Sequence, residues 1–171
     1  MGWRHRIRRF ACQLTITCPP EDVCARQLLP EVALALFRSM SVADQQHSLR
    51  VLLTLRKAGT WPGEVEQAAL LHDVGKSQAR LTLFHRVAGV LLETLASRWL
   101  ARLAVTEAAP WRYPFYVYVH HAEIGAALCA QAGCSPVTMA LVRAHQGHDL
   151  AALPPELHAA LSALRQADEH C

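Results

Sequence analysis

The chain of 171 residues lacks what several large protein classes require. Its six cysteines, Cys12, Cys18, Cys24, Cys129, Cys134 and Cys171, include no C-x-x-C pair, which argues against a zinc ribbon or a thioredoxin-like site. With no secretory h-region ahead of them, they read as reduced thiols and small core fillers of a cytoplasmic protein. No uninterrupted apolar run is long enough to span a bilayer, because residues 87–105 are broken by Glu93, Arg98 and Arg102. A formal net charge of +3 falls short of the dense basic patch that a stable nucleic-acid complex needs, although a nucleotide-sized anion is compatible with it. Internal repeats, low-complexity tracts and a convincing interdomain linker are also missing. What remains, 52% hydrophobic against 18% charged residues, fits one folded unit with a full-sized core.

The punctuation is helical throughout. Pro19-Pro20 with Glu21 and Asp22 reads as a helix start, and Pro30 breaks that helix before "EVALALF". Ser41-x-x-Asp44 resembles a capping box opening a helix that runs to Gly59. Pro62 starts the next, and a long helix is expected from about Ala79 to Val105. The aromatic loop "PWRYP" precedes helices at about 116–132, 136–146 and 155–170, with Gly133 closing the first and Ser135-Pro136 opening the second. Only "FYVYV" alternates like a strand, and a single short strand has nothing to pair with. The expected fold is all-α, a bundle of about six to eight helices over residues 19–171, preceded by a basic amphipathic segment at 1–18. In that segment Trp3, Ile7, Phe10 and Leu14 form one stripe and Arg4, Arg8 and Arg9 lie elsewhere, a pattern suited to weak contact with a membrane surface.

One stretch, "LLHDVGK", ends an apolar helical run with an imidazole, His72, beside a carboxylate, Asp73, and then a cation, Lys76. Adjacent helical residues point about 100° apart and do not pair on one face, so both side chains are expected to lean on something between neighbouring helices. Other metal-capable residues sit on other predicted helices: His47, His121, His145 and Asp168. A helix bundle can aim such residues at one interior point, and an ion there offsets the cost of burying a carboxylate. Taken singly, each has a plainer reading as a hydrogen-bonded core histidine or a surface acid. His5, His85, His120, His148, His158 and His170 are left in that plainer class, with His120 and His148 nearest to the candidates.

The order His47 in "QQHSLRV", His72-Asp73 in "AALLHDVGK" and Asp168 in "LRQADE" resembles the HD-domain superfamily of metal-dependent phosphohydrolases, over about Ser41 to Asp168. The resemblance implies that these four residues are core metal ligands in an α-helical bundle. "HHAEIGAALCAQAG" followed by "LVRAHQ" is similar to members holding two metals, which implies His121 and His145 as further ligands and Asp73 as the bridge between ions. No Gly-Tyr-Pro follows His145, so the likeness does not extend to the cyclic-di-GMP-hydrolysing branch, and free-standing nucleotide or phosphodiester hydrolases are the nearest analogues.

A donor set of imidazole and carboxylate without thiolate suits Mn, Fe, Co, Ni, Mg or Zn, one or two per chain. Such an ion lowers the pKa of water and polarises a phosphoryl oxygen, which is the chemistry of phosphoester hydrolysis. Asp73 and Lys76 are the expected catalytic residues, Lys76 opposing charge that develops on the phosphoryl group. The expected partner is a small phosphorylated substrate, a nucleotide by class; Arg80, Arg112 and the "PWRYP" loop are candidate pocket walls. The alternative is a catalytically silent HD domain that binds a nucleotide or a protein, with structural metal.

Overall fold

A computed structural model of the chain describes residues 23–79, 81–105, 109–146 and 153–171. The amphipathic segment expected at 1–18, with Cys12 and Cys18, lies outside them, as do Arg80 and His148. The fold is an all-α bundle, with nine α-helices and no strand among the described residues. They are α1 (Val23–Leu28), α2 (Glu31–Ser39), α3 (Val42–Ala58), α4 (Gly63–Leu71), α5 (Leu83–Leu95), α6 (Ser97–Leu103), α7 (Tyr113–Gln131), α8 (Pro136–Ala144) and α9 (His158–His170). A 3₁₀ turn, Val74–Gln78, follows α4. No helix among the described residues is long and apolar enough to cross a membrane.

Several boundaries follow local chemistry. Ser41 caps α3: its Oγ accepts the Asp44 N–H at 3.2 Å and donates to Asp44 Oδ2 at 2.6 Å. Ser135 caps α8 by accepting from Thr138 N at 3.1 Å, and Gly133, at φ 73, supplies the left-handed residue that ends α7. Ser135→Ala leaves that N–H without its acceptor and is expected to cost about 1 kcal/mol, read as a lower urea midpoint at unchanged slope. Gly59, by contrast, is extended at φ 164, so α3 ends there without a left-handed residue.

"FYVYV" is helical, inside α7, where Phe115 and Val117 are buried, in line with the helix expected at about 116–132. One expectation changes. The long helix expected over 79–105 starts only at Leu83 and breaks at Ala96 (φ −151, ψ 53). Nothing local marks that break, since alanine is the best helix former. The turn lets Leu100 and Ala104 point inward and become buried.

The core lies between α2, α3, α4, α8 and α9. Phe37, Leu52, Leu55, Leu70, Leu71, Leu141, Leu161 and Leu164 are among its fully buried side chains. α3 buries Asp44, His47, Ser48, Val51, Leu52 and Leu55, spaced as one helical face. The N-terminal half of that stripe is polar and the C-terminal half aliphatic. The polar half looks toward the end of α4.

Candidate metal centre

The adjacent pair is reconciled by a change of helix type. His72 keeps α-helical angles at the end of α4, whereas Asp73 (φ −98, ψ 5) leaves the helix and opens the 3₁₀ turn. His72 Nε2 thereby comes within 3.6 Å of Asp73 Oδ2. The turn lies directly on α7: a Cβ placed on Gly75 would stand 2.0 Å from the His121 carbonyl oxygen. Only a residue without a side chain allows this approach, and the approach brings Asp73 to the middle of α7.

All six candidate ligands meet there. His47 Nε2 lies 2.8 Å from Asp168 Oδ1 and 4.0 Å from Asp73 Oδ2. His72 Nε2 is 3.5 Å from Asp168 Oδ1. Asp73 Oδ1 faces the other way, 3.3 Å from His121 Nε2 and 3.8 Å from His145 Nε2. One carboxylate therefore stands between two groups, His47, His72 and Asp168 on one side, and His121 and His145 with Asp73 itself on the other, each close enough to hold an ion. The four imidazoles and Asp73 are buried, while the Asp168 side chain is 15% exposed. His120, one residue away, is outside the cluster, with its ring against Tyr116.

The backbone sets the imidazole tautomers. His72, His121 and His145 each place Nδ1 within 2.7–2.9 Å of the carbonyl three residues earlier, on Ala69, Tyr118 and Val142. A carbonyl only accepts, so Nδ1 carries the proton and Nε2 turns a lone pair to the centre. Among the described residues, His72 Nε2 is buried without a hydrogen-bond partner. Most of the spacings between these nitrogens and the carboxylate oxygens, 3.3–4.0 Å, exceed an N–H···O bond. Two donors each about 2.1 Å from a shared ion stand about 3–3.5 Å apart, so the arrangement fits a cation better than direct hydrogen bonding.

Electrostatics agree with that donor set at Asp73, His121 and His145. Burial alone would raise the Asp73 carboxyl, but the Lys76 ammonium, His72 and His121 outweigh it and hold the group well below the usual carboxylate range. Burial, with His72 and His121 nearby, drives His145 down to about 3, and burial and Lys76 lower His121, so both stay neutral and able to ligate. Burial also opposes charge on His72, yet Asp73 and Asp168 overcome it and raise the imidazole. Lys76 Nζ donates to Asp73 Oδ2 at 2.6 Å, so the lysine pairs with the central carboxylate. It also lines a cavity of about 310 Å³ with Ser41, Asp44, Ser77 and Leu81.

Other residues shape the site without a motif to announce them. Arg165 on α9 donates to the carbonyls of Ala144 and His145 at 2.6 and 3.1 Å, tying down the end of α8 from which His145 projects. Its only sequence signal is a cation one turn before Asp168. Gly125 forms the far side of the Gly75 crossing, where an added Cβ would meet Gly75 N at 3.2 Å. Arg112, a candidate pocket wall, spends a guanidinium nitrogen on the Arg102 carbonyl. Of the other histidines, His85 bonds Thr82 and lies edge-on to Phe115, His158 reaches the Leu153 carbonyl, and His170 that of Gln166. The four described cysteines, Cys24, Cys129, Cys134 and Cys171, form no disulfide among the described residues. Burial pushes Cys129 up to about 12, which makes it a packing residue.

Fold and site together define a class: an all-α bundle with a buried histidine and aspartate centre that could hold a metal ion. In comparison with known proteins, no family model, curated protein or solved structure matches the chain.

Proposed function

We propose that this protein is a metal-dependent phosphohydrolase or phosphodiesterase of the HD type, acting on a nucleotide or related phosphoester. The observation that carries the reading is the division of Asp73: Oδ2 faces His47 and His72 while Oδ1 faces His121 and His145. A carboxylate sealed among four imidazoles and a lysine is expensive to bury unless it holds positive charge. His47, His72 and Asp168 would hold one divalent ion, His121 and His145 a second, with Asp73 between them. When bound, such ions supply an activated water and polarise a phosphoryl oxygen.

The chain's own residues do the rest. Asp73 stays ionised at neutral pH chiefly because the Lys76 ammonium beside it favours its charge. Lys76 stands between this carboxylate and the cavity of about 310 Å³, where its ammonium meets a phosphoryl group entering from that side. The Nδ1–H bonds to Ala69, Tyr118 and Val142 keep three imidazoles aimed before any ligand arrives.

The test is elemental analysis of the purified protein, followed by hydrolysis of bis-p-nitrophenyl phosphate with Mn²⁺. About two ions per chain are expected, falling to about one in His121→Ala, and hydrolysis should vanish in His72→Ala. Metal-loaded but inert protein would instead favour the silent binding module. Absence of metal from freshly purified and reconstituted protein would end both readings.

A further inference from the structure

Most large apolar side chains left exposed on the described surface fall between residues 84 and 113. On α5, Phe84, Val87, Leu91 and Leu95 are 70%, 40%, 52% and 80% exposed. At 100° per residue they lie within an arc of about 80°, a single apolar stripe. The opposite face of α5 is already packed: Gly89 lies against the Tyr118 ring, and His85 sits edge-on to Phe115. The stripe is therefore surplus to the core. Trp99 on α6 and Trp111, 61% and 62% exposed, are further large apolar side chains that the core does not cover. The Arg112 guanidinium, bonded to the Arg102 carbonyl, ties the Trp111 turn to α6.

The charge on this face has one sign among its described side chains. Arg98 and Arg102 are exposed on α6, and the Arg102 guanidinium lies 5.5 Å from the centre of the Trp99 ring. An apolar stripe flanked by tryptophans and arginines has the composition of a helix that lies in a lipid headgroup layer, with apolar side chains down, indoles at the boundary and guanidinium groups among phosphates. A second copy of the chain is a poorer occupant, because a two-fold contact would gather two Arg98 and two Arg102 side chains into one interface without a described acidic side chain of α5 or α6 to offset them. The segment at 1–18 is poorer too, since Arg4, Arg6, Arg8 and Arg9 give it the same charge.

We propose that α5 and α6 form a docking face for an anionic lipid surface, through Phe84, Leu91, Leu95 and Trp99 with Arg98 and Arg102. This is independent of the metal centre and of the amphipathic N-terminal segment. The experiment is flotation of the full chain with vesicles of phosphatidylcholine, with and without phosphatidylserine. Binding is expected only with phosphatidylserine, and it should weaken as salt is added. Leu91→Glu/Leu95→Glu, both at exposed positions, should lower the apparent affinity by about tenfold or more, a free-energy change of about 1.4 kcal/mol per decade. Arg98→Glu/Arg102→Glu should do the same with the apolar stripe intact. Brominated acyl chains should quench tryptophan fluorescence, and Trp99→Phe should remove part of that quenching. No binding to phosphatidylserine vesicles overturns the proposal. So does undiminished binding of the Leu91→Glu/Leu95→Glu variant, which would pass the role to the N-terminal segment. A wild-type dimer in sedimentation that these substitutions dissociate would make the occupant a second copy and overturn it as well.

Discussion

Asp73→Ala is expected to weaken the proposed divalent-metal binding by more than about a hundredfold and to remove the proposed phosphodiester hydrolysis. Even partners outside the ligand shell change metal affinity about 10–100-fold, and Asp73 is a member of one candidate group with its other oxygen turned toward the histidines of the second. Its loss should not unfold the protein. Two effects oppose each other in the metal-free chain: removing the carboxylate leaves Lys76 without its partner, but it also removes a charge that burial disfavours. Lys76 borders the cavity of about 310 Å³, where its ammonium can be hydrated, so the net change in melting temperature should be small. Asp73→Asn keeps the volume and loses the charge. It should resemble the alanine variant in metal binding and the wild type in melting. Titration of the apo-protein with Mn²⁺ by calorimetry, beside a thermal melt, separates the two effects. Wild-type metal affinity in Asp73→Ala would remove the proposed centre.

Gly75→Ala is expected to be among the most damaging single substitutions in the chain. Its methyl would stand 2.0 Å from the His121 carbonyl oxygen and 2.8 Å from Gly125 N. Both are backbone atoms of α7, so no side-chain rotation relieves the contact. The turn or the helix must move. A cost of about 4 kcal/mol or more is expected, a large part of the total stability of a domain of this size. The melting temperature should fall by about 10 °C or more. The displacement also carries Asp73 away from His121, so metal affinity should fall in whatever protein still folds. Gly63→Ala is the control: no atom lies within 4 Å of its added Cβ, and the position is helical, so this variant should melt at or slightly above the wild type. Equal melting temperatures for the two alanine variants would show that the turn does not lie against α7.

How far the site could be read ahead of the structure varies by residue. His72 and Asp73 announce themselves by standing together at the end of an apolar run. His47, His121, His145 and Asp168 have no individual signal, and their candidacy came from sitting on separate predicted helices in an order resembling a known family. The structure brings all four to the end of α4. Lys76 was legible as a cation beside the pair, but its bond to Asp73 was not, since it depends on the 3₁₀ turn folding the lysine back by one turn. Arg165 left almost no trace, because an arginine that caps another helix looks like a surface arginine until the two helices are adjacent.

The chain by itself determined the helical class, through caps such as Ser41 and Ser135, and the chemical kind of the candidate centre, through imidazole and carboxylate without thiolate. These depend on contacts a few residues long and on side-chain identity, which any local window contains. Only the tertiary structure decided where α5 breaks and that the two oxygens of Asp73 look toward different histidines. The second of these depends on how α7 crosses the turn at Gly75, a contact between residues about fifty positions apart. No local preference records such a distance, because it exists only once the helices have packed.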